Sequence, residues 1–104
     1  MTECPIDNVN INDIIAAEKV FPMFQPIVSI KQKMTIGVEA LCRGFFPDRE
    51  NIILPSILFG MAEEQDSLLE LDRLCRRKAL EEFQHLYQQN PHFLLFLNLS
   101  ISLI

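Results

Sequence analysis

Three polar residues stand in stretches of mostly apolar, strand-like sequence, and their side chains are the first candidates for chemistry. They are Glu39, Asn98 and Gln25. A carboxylate or an amide among apolar residues is costly to bury unless it is paired, hydrogen-bonded or bound to a cation. Carboxylate and amide oxygens are ligands that hard cations such as Mg²⁺ and Mn²⁺ accept, and the Gln25 amide could read a nucleobase edge. These residue types therefore suit a site for a divalent cation or a nucleotide.

Each of these residues also has an ordinary structural explanation. Glu39 could pair with Arg43 or lie on the exposed face of an edge strand, and on chemistry alone this explanation is favoured, because single acidic residues in strands are common. The Asn98 amide could bond a neighbouring loop, and the Gln25 amide could cap the adjacent backbone. Taken one at a time, the three residues do not decide between a structural and a functional role.

The elements that must position these residues can be predicted from periodicity and from capping residues. In chain order they are a short helix capped by Asn12 or Asp13 and ended by Pro22, strands 23–30 and 35–42, a loop 44–54, helices 55–65 and 67–89, and a strand 93–99. The connection between the first two strands is too short for a parallel crossover, so this pair is predicted to be antiparallel. Alternation along the second strand places Glu39, Leu41 and Arg43 on one face.

The last two elements complete an α/β pattern. Ser67 is the predicted N-cap of the long helix, with Glu70 completing a capping box. The nearly continuous apolar run at 93–99 is typical of a strand buried on both faces. Because such a strand needs neighbours on both sides, and the sequence supplies few, we interpret the chain as a truncated α/β domain.

Composition excludes several classes of function. The formal net charge of -5 argues against general binding of nucleic acid or of an anionic membrane, since both require a basic surface. The cysteine count is odd, at three, with wide spacings, which indicates free thiols in a reducing cytoplasm rather than a disulfide framework or a zinc site. His85 and His92 have no second ligand at metal-binding spacing. No signal peptide or membrane-spanning run is visible, so we predict a soluble cytoplasmic protein.

Several motifs, in order and at suitable spacing, resemble the opening of the EAL domain family. The family takes its name from a triplet that is present as Glu39-Ala40-Leu41. A lone triplet would be uninformative, but the resemblance extends over residues 14–100 and each motif lies on the predicted element. The matching segments are Phe24-Gln25-Pro26-Ile27, Gly37 through Arg43, a helix led by Pro55 that reaches Ala62-Glu63, Leu71-Asp72, and Leu97-Asn98-Leu99-Ser100.

The resemblance implies a fold, an activity and a role for each candidate residue. EAL domains are modified TIM (β/α)8 barrels with an antiparallel first strand pair, and they hydrolyse cyclic di-GMP to pGpG with divalent metals, Mg²⁺ or Mn²⁺. By position, Glu39 and Asn98 match metal ligands. Arg43 matches a residue that contacts a substrate phosphate, where a guanidinium fork suits the anion. Gln25 and Leu41 match residues that contact the guanine end of the ligand.

The resemblance also implies that this chain is incomplete. A (β/α)8 barrel typically needs about 250 residues, so residues 1–104 are predicted to be the N-terminal fragment of a single domain, truncated after the third strand, with residues 1–10 as a loose terminus. The family's catalytic residues have no counterpart within this fragment. We therefore expect metal binding to be weak or absent and the fragment alone to be inactive.

An alternative function remains open from the sequence. The chain could be a non-catalytic, shortened EAL relative that acts as a binding or scaffold protein. An open piece of barrel leaves strand edges and apolar faces uncovered, so a second copy or a partner chain is expected to cover them. Whether the chain is part of an active enzyme is therefore not decided by the residues present.

Overall fold

The computed structural model describes residues 10–46 and 51–98, and these form an α/β unit in the predicted order. Its elements are α1 Ile11–Ala16, β1 Val20–Ser29, β2 Met34–Phe45, β3 Ile52–Ile53, α2 Pro55–Glu64, α3 Leu68–Gln89 and β4 Leu94–Leu97. The short strand β3 was not predicted and lies inside the predicted loop 44–54. Its two residues pair with the end of β2, a contact that leaves no periodic signal in so short a segment.

Strand β2 is the centre of the sheet. It pairs antiparallel with β1 along its length, which confirms the predicted hairpin. On its other side, the first part of β2 pairs parallel with β4 and its end pairs antiparallel with β3. In the described chain β1 has β2 as its one partner. An edge strand tolerates proline, which lacks the N–H group for a second ladder, and this explains how Pro22 and Pro26 fit within β1.

The parallel pairing of β2 with β4 depends on a glycine. Gly37 lies opposite Leu94 and is buried. A Cβ atom added at Gly37 would lie 2.2 Å from the backbone oxygen of Leu94. The two backbones can therefore approach only because position 37 has no side chain.

The helices cover one face of the sheet. Leu71, Leu74 and Ala79 of α3 are buried against it. The ring of Phe83 in α3 meets the ring of Phe24 in β1 edge-on, with centroids 6.5 Å apart. The buried core lies where α1, α2 and α3 meet the sheet; its apolar members include Ile11, Ile14, Val20, Ile53, Leu58, Met61, Ala62, Leu71 and Leu74.

The interpretation of the cysteines as free thiols is wrong for two of them. Cys42 of β2 and Cys75 of α3 form a disulfide, with Cα atoms 5.9 Å apart. Cys42 points to the face opposite Glu39, as predicted, and packs against the core. Spacing could not reveal the pairing, because the fold brings together residues separated by 33 positions. Cys4 lies outside the described residues.

The predicted N-cap of α1 is wrong, and the N-cap of α3 is the predicted residue, Ser67, without the predicted capping box. The N-cap of α1 is Asn10, whose side chain accepts a hydrogen bond from the Asn12 backbone N–H. Ser67 is the N-cap residue of α3, but its side chain makes no capping hydrogen bond. Instead, the Ser67 hydroxyl donates to Asn12 Oδ1 at 2.6 Å. A tertiary contact between two helix starts has replaced the predicted capping box with Glu70.

The prediction that the last strand is buried on both faces does not hold in the described chain. Leu94, Phe96 and Leu97 of β4 are all exposed. The reason is that β4 has one described strand partner, β2, and therefore lies at an edge of the sheet. The predicted end of this strand at Leu99, and the predicted loose terminus, lie outside the described residues apart from Asn10.

Candidate functional site

Strand β2 carries three of the candidate residues on one face. Glu39, Leu41 and Arg43 alternate with Ala40 and Cys42, and all three are half-buried. Because side chains alternate along a strand, the face that holds these three is the face opposite the helices. This confirms the predicted grouping.

The neighbouring strands bring the other two candidates beside β2. In the antiparallel pairing, Gln25 lies directly opposite Glu39. In the parallel pairing, Phe96 lies beside Glu39 and Leu97 beside Ala40. Asn98 directly follows β4, one residue beyond the last pair of this ladder, Ala40 with Leu97. The sheet therefore gathers all five candidates across three adjacent strands, and none of them is left elsewhere in the fold.

Glu39 does not form the ion pair that one of its two ordinary explanations proposed. Within residues 10–46 and 51–98, it has neither an ion pair nor a side-chain hydrogen bond. Four residues of extended chain span about 13 Å, so Arg43 on the same strand is too far away. The Glu39 carboxylate therefore keeps both of its oxygens available as acceptors or as metal ligands.

A cavity of about 270 Å³ lies between the sheet and helices α2 and α3, on the side of β2 opposite the candidate face. Its walls are mostly apolar, and Leu41 and Asn98 contribute to its lining. The remaining lining residues are Pro22, Ala40, Cys42, Pro55, Phe59, Asp72, Cys75, Arg76, Ala79 and Leu97. The end of β4 thus belongs both to the candidate face and to the mouth of the cavity.

Asp72 is the buried charge in this cavity. Its side chain is 3% exposed and is ion-paired with Arg76, which lies one turn later on α3. A carboxylate in such a place requires a partner, since an unpaired buried charge is costly. Sequence reasoning singled out Asp72 through the Leu-Asp motif but missed its partner. The signal was available as an acidic residue followed by a basic one at i+4 on a helix.

A second set of charges lies on the exposed surface of α3, away from the candidate face. Glu18 pairs with Arg77 at 2.8 Å and with Lys78 at 3.2 Å. The hydrogen bond from Arg77 holds the pKa of Glu18 below its ordinary value, and the same bond, with help from Glu81, raises the pKa of Arg77. These ion pairs connect the turn after α1 to α3. Their geometry suggests a structural role and no chemical one.

The donor set on the candidate face suits a divalent cation only in part. Glu39 and Asn98 would supply oxygen ligands, which Mg²⁺ and Mn²⁺ accept. Mg²⁺ requires nearly octahedral coordination, so further ligands would have to join these two. In the described part of the chain, no group of three or more His, Cys, Asp or Glu side chains is placed to hold a metal ion. His85 and His92 are both exposed.

In the described residues, none of the helices is long and apolar enough to cross a bilayer.

Comparison with known proteins places this arrangement in a family. The model of the EAL domain matches residues 8–104. The chain is 34% identical over 94 residues to a protein of Escherichia coli K12 named probable cyclic di-GMP phosphodiesterase PdeI, covering 88% of this chain and 12% of that protein.

Two solved structures share the fold. A PaMucR phosphodiesterase in complex with c-di-GMP matches with a TM-score of 0.74 and 22% identity, over 88% of this chain and 37% of its own. An EAL domain protein from Listeria monocytogenes EGD-e matches with a TM-score of 0.64 and 22% identity, over 83% of this chain and 33% of its own. The chain thus spans about a third of each solved structure and about an eighth of the E. coli protein.

Proposed function

This chain belongs to the EAL domain family, and we propose that it is the opening part of a domain that binds cyclic di-GMP and hydrolyses it to pGpG. The observation that carries this proposal is the arrangement on the sheet. Gln25 lies opposite Glu39, and β4 brings Asn98 alongside the same strand. The names of the E. coli relative and of the solved phosphodiesterase complex support this choice of ligand.

We assign each candidate residue the role that its match to the EAL family motifs implies, and its chemistry suits that role. Glu39 and Asn98 would hold Mg²⁺ or Mn²⁺ through their oxygens. Arg43 would bind a phosphate of the ligand with its guanidinium fork. Gln25 and Leu41 would contact a guanine, the first through its amide and the second through apolar contact. The metal, when bound, would polarise a phosphoryl oxygen and activate water.

The 104-residue chain should bind the ligand weakly and should not turn it over. Two oxygen ligands leave most of the coordination sphere of a divalent cation to water or to other residues. The chain spans 37% of the phosphodiesterase structure that it matches, so the larger part of that fold has no counterpart among these residues. We also propose that the protein is cytoplasmic. In that compartment, thiol reductants would act on the Cys42–Cys75 disulfide.

Calorimetric titration of cyclic di-GMP in the presence of Mn²⁺ tests the proposal. We expect weak, Mn²⁺-dependent binding by the chain, at least tenfold weaker binding after Glu39→Gln, and no release of pGpG. The matched control is Glu82→Gln on the exposed surface of α3, which removes the same charge from another place and should leave binding unchanged. Binding that is equally strong in the Glu39→Gln variant would contradict the assignment of Glu39.

A second function is favoured by a separate observation, the exposed apolar surface of the sheet. In the described chain both outer strands expose large apolar side chains; these are Met23 and Val28 on β1 and Leu94, Phe96 and Leu97 on β4. Such edges favour association with another chain. As an alternative, the chain is a non-catalytic EAL relative that acts by forming oligomers or by binding a partner chain. No binding of cyclic di-GMP, together with a stable dimer in sedimentation velocity, would favour it. A monomer at all concentrations would contradict it.

A further inference from the structure

The disulfide between Cys42 and Cys75 joins the strand that carries the candidate site to the helix layer. Cys42 stands between Leu41 and Arg43 in the chain, and its side chain points to the opposite face. Cys75 lies on the buried stripe of α3. The bond therefore connects two different layers of the fold directly behind the candidate site.

The segment around Cys42 has few other restraints. The parallel pairing with β4 ends at Ala40, and the antiparallel pairing with β3 begins at Gly44. In the part of the chain that the structure describes, residues 41–43 thus have a strand partner on the β1 side alone. Leu41 and Arg43 lie between the end of one pairing and the start of the other. The disulfide at Cys42 therefore adds a covalent restraint that holds these two residues to α3.

The bond lies at the wall of the cavity. Both cysteines are half-buried and both contribute to the cavity wall. The same wall includes Asn98, which is exposed, and Arg76, whose side chain is 42% exposed. We therefore expect a small dithiol to reach the two sulfur atoms without unfolding of the core.

We propose that Cys42 and Cys75 form a reversible dithiol–disulfide pair that regulates the candidate site. One thiolate of a dithiol reductant attacks the sulfur of one cysteine, forms a mixed disulfide with it and releases the other cysteine as a thiolate. The second thiol of the reductant then attacks the reductant's own sulfur in the mixed disulfide and releases the remaining cysteine. Two electrons and two protons pass from the dithiol to the protein, which gains two thiols, while the reductant becomes a cyclic disulfide. Reduction releases residues 41–43 from α3; oxidation fixes them again.

The proposed cytoplasmic location fits a bond that is made and broken, because disulfides of ordinary proteins in a reducing cytoplasm are transient or redox-sensing rather than structural. The two cysteines line a mostly apolar cavity, and Asp72 and Arg76 of the same lining are ion-paired with each other. The regulatory part of this inference rests on the proposed function of the face that holds Leu41 and Arg43.

Thiol counting on the folded chain is the first test. The Cys4→Ser variant keeps Cys42 and Cys75 as its two cysteines, because the sequence has three. We expect iodoacetamide to modify neither cysteine in the oxidised folded protein, and both after incubation with dithiothreitol in the absence of denaturant. The control is the further double variant Cys42→Ser and Cys75→Ser, in which dithiothreitol should change nothing.

Thermal stability and amide hydrogen exchange are then measured on the oxidised and the reduced protein. Because the bond closes a long loop, reduction should lower Tm by about 15 °C or more. Amide exchange at residues 41–43 should accelerate at least tenfold, and exchange at residues 23–28 of β1 should change less. These readouts need no substitution at either cysteine, so a variant that fails to fold does not affect them.

The results that would overturn the inference are specific. Modification of both cysteines without reductant would show that the bond is not formed. Reduction that succeeds only in denaturant would make the bond structural rather than reversible. Equal exchange at residues 41–43 in both states would remove the regulatory role. If the thiol counts and the exchange behave as expected but cyclic di-GMP binds neither state, then the proposed function fails and the redox pair stands.

Discussion

Replacing Gly37 with alanine should disrupt the pairing of β2 with β4, which positions Asn98, and leave the rest of the fold in place. The added Cβ would lie 2.2 Å from the Leu94 backbone oxygen, whereas ordinary contact begins near 3.4 Å. Strand β4 would have to move by about 1 Å, and no flexible side-chain end is present to give way, because the obstructing atoms are backbone. The substitution therefore acts on the pairing of β2 with β4 and, through it, on the place of Asn98.

The size of the effect follows from the contacts at risk. Overpacking of this kind costs about 1–3 kcal/mol, and each ladder hydrogen bond weakened adds about 1 kcal/mol. The lower entropy of the unfolded chain with alanine offsets about 0.4–1 kcal/mol. We expect a net loss of about 2–3 kcal/mol in the free energy of unfolding, which lowers Tm by roughly 8–24 °C in a domain of this size.

Gly60 provides the matched control in the same assay. It lies on the exposed side of α2, and a Cβ added there has no atom within 4 Å. Because alanine has the higher helix propensity, Gly60→Ala should raise stability by about 0.5–1 kcal/mol. Thermal and urea unfolding of both variants measures the difference. Gly37→Ala with the stability of wild type would refute the close approach of β2 and β4.

Two further predictions concern charges. Replacing Arg76 with leucine should lower the free energy of unfolding in urea by about 3 kcal/mol or more, because Asp72 would remain buried without a partner. Arg77 forms exposed ion pairs, so Arg77→Leu should lower it by less than about 1 kcal/mol. Equal losses in the two variants would contradict this prediction. Since the pKa of Glu18 is lowered in the folded state from its ordinary value of 4.5, the stability it contributes is present above that value and is lost as pH falls through the folded pKa. Glu18→Gln should therefore flatten the stability profile slightly on the acid side of pH 4.5, and an unchanged profile would show that the pair contributes nothing.

Local patterns determined much of this fold. The helices predicted at 55–65 and 67–89 are found at Pro55–Glu64 and Leu68–Gln89, because proline at the first position and a periodic apolar stripe are local signals. The short connection was enough to predict the antiparallel pairing of β1 with β2. Alternation alone placed Glu39, Leu41 and Arg43 on one face, and the motif order predicted the family.

Other features of the protein were decided only by the tertiary structure, because they join residues that are distant in sequence. The disulfide of Cys42 with Cys75, the bond from Ser67 to Asn12 and the exposure of β4 all follow from which segments meet. A hydroxyl or a thiol has several possible partners, and its own neighbourhood in the chain does not select among them. Residue type and spacing therefore determined which side chains could do chemistry, whereas the packing of β2 against α3 and β4 decided which of them lie together.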